Sequence, residues 1–303
     1  MARERSIRWW HVTLCAALLA GCVWAQQPPA PGLPASANDL VREAVNKEAK
    51  QNDRNSRFMY RGRKQTPEKT ETKEYVETND GTVARLIQLN DQPLAPDVQK
   101  AEQKRLQRLL SDPNVQRDRQ RKQKEDENRV TRMVRALPDA FLYEYDGVEP
   151  GKYGESVKLK FKPNPNFNPE TRELKVYEGM EGQMYIDLAS HRLLRLEAHL
   201  FRDVDFGWGI LGRLYKGGKF VVEQSRIEPE HWETTGLTID MSGRALLFKS
   251  LRFDTRETAS DFRRVAPGLT LAQGVELLQK FDPSAPVSAN VVAGQSERSA
   301  AQR

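Results

Sequence analysis

"MEGQMYIDLASHRLLRLEAHL", Met180 to Leu200, decides the fold class. Met184, Ile186 and Leu188 alternate with Tyr185 and Asp187. Past a short polar turn, Leu194, Leu196, Ala198 and Leu200 alternate with Arg195, Glu197 and His199. A period of two places the apolar members on one side of an extended chain, so the stretch predicts two antiparallel strands with one greasy and one wet face. The pattern recurs on both sides. Val157, Leu159 and Phe161 alternate with Lys158, Lys160 and Lys162, Ile239 and Met241 flank Asp240, and Leu246 and Phe248 precede Lys249. Earlier in the chain, Phe58–Lys64, Thr70–Thr78 and Thr82–Leu89 read as strands, the last two joined by the hairpin signal Asn79-Asp80-Gly81.

Three segments break this rhythm and predict helices. Asn38 to Gln51 carries Leu40, Val41, Ala44, Val45 and Ala49 on one face, with Asn38 or Asp39 as its cap. Pro96 to Ala136 predicts two helices divided at Asp112-Pro113, the second ending on Val130, Met133, Val134 and Leu137. Leu271 to Lys280 follows Pro267-Gly268. Within the long helical insertion, Gln116–Arg129 has no apolar residue and mixes six positive with four negative charges, which predicts a solvated helix laced with ion pairs or a partner-binding arm.

Composition narrows the function. The chain has 303 residues, a mean hydropathy of −0.72, 30% charged residues and a net charge of +6. Its first 25 residues contribute +2 of that charge, and interleaved signs elsewhere argue against nucleic acid as a partner. Arg3, Arg5 and Arg8 followed by the apolar run Trp9–Gly21 form an export signal. Leu19-Ala20-Gly21-Cys22 matches a bacterial lipobox, which would make Cys22 the lipidated first residue. Val23-Trp24-Ala25 offers ordinary cleavage before Gln26 instead. Both readings predict an exported protein with a leader at 1–25, a Pro-rich linker at 26–37, one domain at 38–281 and a disordered tail at 282–303. The two cysteines, Cys15 and Cys22, lie in the leader region, so the domain is expected to fold without a disulfide.

"FGWGILGRLYKGGKF", Phe206 to Phe220, contains the pattern G-x-G-x-x-G at Gly207, Gly209 and Gly212. A dinucleotide site needs a helix opening at the third glycine, and only four residues separate Gly212 from Gly217. A P-loop needs Ser or Thr after its lysine, where Phe220 stands. The glycines are therefore read as devices of a bent hairpin. Phe206, Trp208, Ile210 and Leu211 either fill the core from it or form an exposed apolar loop. His191, His199 and His231 show no metal-ligand spacing, and no nucleophile motif occurs. The expectation is a non-enzyme without metal or cofactor.

Lys175 to Phe262 carries a resemblance. "KVYEGMEGQMYIDLASHRLLRLEAHL" and "KGGKFVVEQSRIEPEHWETTGLTIDMSGRALLFKSLRF" resemble the periplasmic lipoprotein carriers and receptors of the LolA/LolB kind. They are also similar to the sensor domain RseB and to a group of exported bacterial proteins. The shared pattern is a strand ending in "ID", a turn, a Leu- and Arg-rich strand, a Trp-bearing strand and a final hairpin. The resemblance implies an α+β fold: a strongly curved antiparallel half-barrel sheet covered by helices, here with a helical insertion at 96–137. It implies acyl chains of a lipid or lipoprotein held in an apolar cavity. The cavity candidates are Leu159, Phe161, Met184, Ile186, Leu194, Leu196, Leu200, Ile239, Met241, Leu246 and Phe248. A periplasmic location, tethered through Cys22 to the outer membrane of a Gram-negative cell, follows from the same reading. The alternative is an envelope sensor or scaffold whose charged insertion binds another protein.

Overall fold

The structure is a computed structural model that describes residues 33–52, 57–207, 211–246 and 249–282. Helix α1 (Ala37–Asn52) leads into β1 (Phe58–Gln65), β2 (Thr70–Thr78), β3 (Gly81–Leu89) and the short β4 (Gln92–Pro93). The insertion forms α2 (Pro96–Ser111) and α3 (Pro113–Ala140). Then come β5 (Phe141–Gly151), β6 (Gly154–Pro163), the single turn α4 (Arg172–Lys175), β7 (Met180–Asp187) and β8 (Leu193–Leu200). The chain continues with β9 (Val204–Phe206), β10 (Gly212–Leu214), β11 (Lys219–Glu228), β12 (His231–Ala245), β13 (Lys249–Arg264) and α5 (Leu271–Lys280). The leader with Cys22, most of the linker, the tail from Pro283, and Trp208, Ile210 and Phe248 lie outside the described residues.

Among the described residues, thirteen strands join one antiparallel sheet in the order β4-β3-β2-β1-β13-β12-β11-β8-β7-β6-β5, with β10 added beside the end of β12 and β9 beside β10. The α+β class and antiparallel sheet agree with the sequence reading. The sheet also curves, and α3 proves it. Near one end of α3, Arg119 donates to the carbonyl of Thr82 on β3 at 2.9 Å; near the other, the Leu137 carbonyl accepts from the Tyr143 hydroxyl on β5 at 3.1 Å. Eighteen helical residues span about 27 Å. Within the sheet, β3 and β5 are nine strand spacings apart, about 43 Å if flat. The helix is a chord across a curl.

The C-terminal residues of α3, Met133, Ala136 and Leu137, pack with α1 on β5–β8, while Val115 near its start packs with the cluster of α2 and α5; the face carrying α1 is termed the inner one. Here Leu40, Val41, Val157, Leu159, Ile186 and Leu200 are 0% exposed. Each such side chain contributes roughly 1.5–3 kcal/mol by leaving water.

The other helices lie elsewhere. Met241 pairs with Phe253, Leu237 with Glu257, and Glu257 with Lys64, so the inner face continues onto even-numbered positions of β1. Met59 is odd-numbered and belongs to a second cluster with Val76, Val83, Leu106, Leu109, Val275 and Leu278. Helices α2 and α5 therefore pack on the outer face. The expectation that all the helices cover the single apolar face is corrected: strands β1–β3 have a buried outer side of their own.

Local chemistry explains the joints. Asp112 caps α3, its carboxylate accepting from the amides of Asn114 at 2.9 Å and Val115 at 3.4 Å, with Pro113 as first residue. The helix runs through Pro138 to Ala140, past the predicted end at Ala136. Asn38 is not a cap. Its amide donates to the carbonyls of Pro138 at 2.9 Å and Phe141 at 3.0 Å, and its oxygen accepts from the Tyr143 amide at 3.2 Å, riveting α1 to the α3–β5 junction. Gly182 on β7 pairs with Ala198, and a Cβ there would collide with the Glu197 carbonyl and the Ala198 backbone.

Candidate functional site

The inner face reads as a ladder of cross-strand rows. One row runs Leu159, Met184, Leu196, Val222, Leu237; the next runs Phe161, Gly182, Ala198, Phe220, Ile239. The two halves of each row differ. Leu159, Phe161, Met184, Ile186, Leu196, Leu200 and Met241 are buried in the cluster under α1. Side chains fill that space, so these seven cavity candidates form a core. Toward β11 and β12 the same rows are less deeply buried. Phe220 and Ile239 are half-buried at the cluster's margin, and Val222 and Leu237 are half-buried outside both clusters.

Two cavity candidates are corrected by local backbone geometry. A bulge between β7 and β8 pairs Ile186 with Leu193, and Leu193 packs on the inner cluster. Simple alternation back from Leu196 picks Leu194, which is not in that cluster. Leu246 is 65% exposed in a turn with φ of 48°. It belongs to a hairpin tip.

That tip has a neighbour. β10 pairs with the end of β12, and the Leu246 amide donates to the Leu211 carbonyl at 3.4 Å. The β9–β10 and β12–β13 turns are therefore adjacent, at the same end of the sheet as the start of α1. Leu211, Leu246 and Phe253 are 43%, 65% and 47% exposed, while Phe206 packs at the margin of the inner cluster. The glycine stretch is thus a hairpin: Gly207 turns it with φ of 55°, and Gly212 begins a strand. Gly212 opens a strand and not the helix that a phosphate site needs.

The charged middle of α3 is largely self-satisfied. Arg121 pairs with Asp118 at 3.0 Å and Arg129 with Asp126 at 3.0 Å. Arg119 and Gln123 are committed to the β2–β3 hairpin through the Thr82 carbonyl, at 2.9 and 2.5 Å. On α2, Glu102 accepts from the Leu86 amide at 2.8 Å and Arg105 donates to the Ala84 carbonyl at 2.5 Å. The insertion thereby covers the exposed edge of β3, which would otherwise invite strand addition.

The opposite end of the sheet is polar. β12 and β13 part beyond Gly236 and Thr258, and the wedge between them takes in Phe58, Phe262 and His231. His231 lies 4.5 Å from the Phe58 ring, and its Nε2 is 2.5 Å from the Glu233 carboxylate. Glu48, in the last turns of α1, accepts from Gln224 Nε2 at 3.0 Å and from Arg192 at 3.1 Å. Burial pushes the Glu233 carboxyl up to about 7, assisted by the negative charge of Glu48. Burial also raises Glu48 and Glu77 and lowers His231. His231 Nδ1 and Gln224 Oε1 are buried without a hydrogen-bond partner. Glu48, Glu77 and Glu233 are far apart in sequence, and no local motif announces them. His199 Nε2 lies 3.2 Å from the Glu181 carboxylate, and His191 Nδ1 lies 2.9 Å from that of Glu43. No group of three or more potential metal ligands occurs among the described residues.

No protein-family model matches the chain, and no curated protein does. Two solved structures are matched. One is a domain from Vibrio parahaemolyticus named for outer membrane lipoprotein sorting, with 10% identity over 79% of this chain and 100% of that one, at a TM-score of 0.28. Another is a DUF1329 family protein from Desulfovibrio piger, with 11% identity over 77% of this chain and 95% of that one, at a TM-score of 0.25. Neither likeness, at these TM-scores, bears on what this chain binds.

Proposed function

We propose that this chain is an exported, non-catalytic carrier that holds an acyl chain of a lipid or lipoprotein along the half-buried part of its inner face. The observation that carries the reading is the strip formed by Phe220, Val222, Leu237 and Ile239. It is apolar, half-buried and on the inner face of the sheet, beside the cluster under α1. Binding there needs no covalent chemistry, since each methylene removed from water contributes about 0.8 kcal/mol. The strip leads toward the Leu211 and Leu246 hairpin tips, which give it an apolar mouth. Lipidation at Cys22 would hold that mouth near a membrane, because α1 starts from the same end of the sheet.

The proposed seat differs from the one implied by resemblance alone: the volume under α1 is core, and the ligand lies beside it. The rival reading, a partner-binding arm at Gln116–Arg129, has less support, because that segment's arginines are engaged within α3 and on the β2–β3 hairpin. Native mass spectrometry of gently purified protein tests the proposal. A co-purified lipid, released by delipidation and restored by added phospholipid, is expected. Protein that carries no lipid and takes none up overturns it.

A further inference from the structure

The outer face holds a groove that takes no part in the apolar strip. It has a volume of about 590 Å³ and lies between β3, α2 and the end of α5. Leu106 and Phe281, 1% and 7% exposed, line its apolar side with the half-buried Leu94. Gln99, Gln103 and Gln107 follow one another at four-residue spacing along α2, and Gln279 comes from α5. These four residues are exposed, and their carboxamides have no hydrogen-bond partner among the described residues. The charged members balance, Arg85 and Lys280 against Glu102 and Asp282. Arg85 also fixes the last turn of α5, donating to the carbonyls of Leu278 at 2.5 Å and Phe281 at 3.1 Å. Since Asp282 lines the groove, the chain leaves α5 inside it.

The sequence that follows suits such a seat. Pro283, Ala285, Val287, Ala289 and Val291 alternate with Ser284, Pro286, Ser288 and Asn290, and no charged residue occurs before Glu297. A period of two gives an extended chain one apolar side, and the prolines favour extended backbone. From Gln99 to Gln107, α2 rises about 12 Å. Four extended steps, as from Pro283 to Val287, cover about 13 Å.

We infer that the segment Pro283–Val291 docks in this groove in cis, its apolar side on Leu94, Leu106 and Phe281 and its backbone toward the glutamine carboxamides. A carboxamide offers both the donor and the acceptor that a peptide backbone needs. A neutral segment also matches a groove whose charges cancel. Attachment at Asp282 makes the docking intramolecular, at an effective concentration on the order of millimolar, so modest contacts suffice. The docked segment straps α2 to α5, where composition alone predicts a disordered tail. It is independent of the acyl-chain reading.

Photo-crosslinking of the full chain tests the docking. Benzoyl-phenylalanine placed at Val287 should, on irradiation of dilute protein, form an adduct to the Leu94–Gln107 peptide of the same chain. The yield should exceed severalfold that of the same probe at Gln302. As a second measurement, Val287→Asp combined with Val291→Asp should lower hydrogen-exchange protection around Gln103–Leu106 severalfold and leave α1 amides unchanged. Helix α5 ends at Lys280, so neither change falls in a described element. Adducts to a second copy only, equal yields from Val287 and Gln302, or unchanged α2 protection in the double variant overturns the docking.

Discussion

Val222 and Leu237 face each other across β11 and β12 on the inner side of the sheet, half-buried and outside both packed clusters. Their row-mates Leu159 and Met184 are 0% and 2% exposed in the cluster under α1. One row thus passes from core to open surface. Leu237→Lys should leave the melting temperature nearly unchanged, since a lysine stem can lie along the strip with its ammonium in water. It should also reduce uptake of a fluorescent fatty acid at least tenfold. Ile186→Ala should do the reverse in emphasis, costing about 2–5 kcal/mol in denaturant unfolding through the cavity it leaves.

Asn38 ties α1 to the α3–β5 junction with three hydrogen bonds. Asn38→Ala leaves two carbonyls and an amide without these partners. The expected loss is about 1–3 kcal/mol in chemical denaturation. Faster hydrogen exchange in α1 should accompany it, and an unchanged unfolding midpoint would refute the role.

Gly182 permits β7 and β8 to pair where a Cβ would strike backbone. Because backbone cannot swing aside as a flexible side chain can, Gly182→Ala should destabilise the protein by roughly 1–3 kcal/mol, or prevent folding. Circular dichroism during thermal melting reads this directly. A wild-type melting curve would show that the strands can separate locally at no cost.

Much of this architecture is legible in the residues. Alternation finds the strands because one face is wet and the other dry, and Thr270 with Gln273 marks the start of α5 by a capping box. Leu194 is misread because a bulge adds a residue that polarity does not reveal. The division of the helices between two faces is hidden for a different reason. It depends on β1 pairing with β13, two segments about 200 residues apart, and pattern carries no information on such pairings. The same distance conceals the wedge, whose carboxylates come from α1, β2 and β12. Phe220, Val222 and Leu237 were within reach, since they continue alternations already visible around Ile239.

The hairpin tips give a separate prediction. Leu211→Ser combined with Leu246→Ser alters exposed residues only, so stability should change by less than about 0.5 kcal/mol. Co-sedimentation with phospholipid vesicles should fall severalfold. Equal sedimentation of variant and parent would separate the tips from any membrane role.

The central claim is that the half-buried strip, and not the space under α1, receives an acyl chain. A titration with a dansyl-labelled fatty acid, run in parallel on the wild-type protein and Leu237→Lys, tests it most directly. The account predicts saturable fluorescence enhancement, displaced by unlabelled fatty acid, in the wild type and its loss in the variant. Equal binding by both proteins, or none by the wild type, would contradict it.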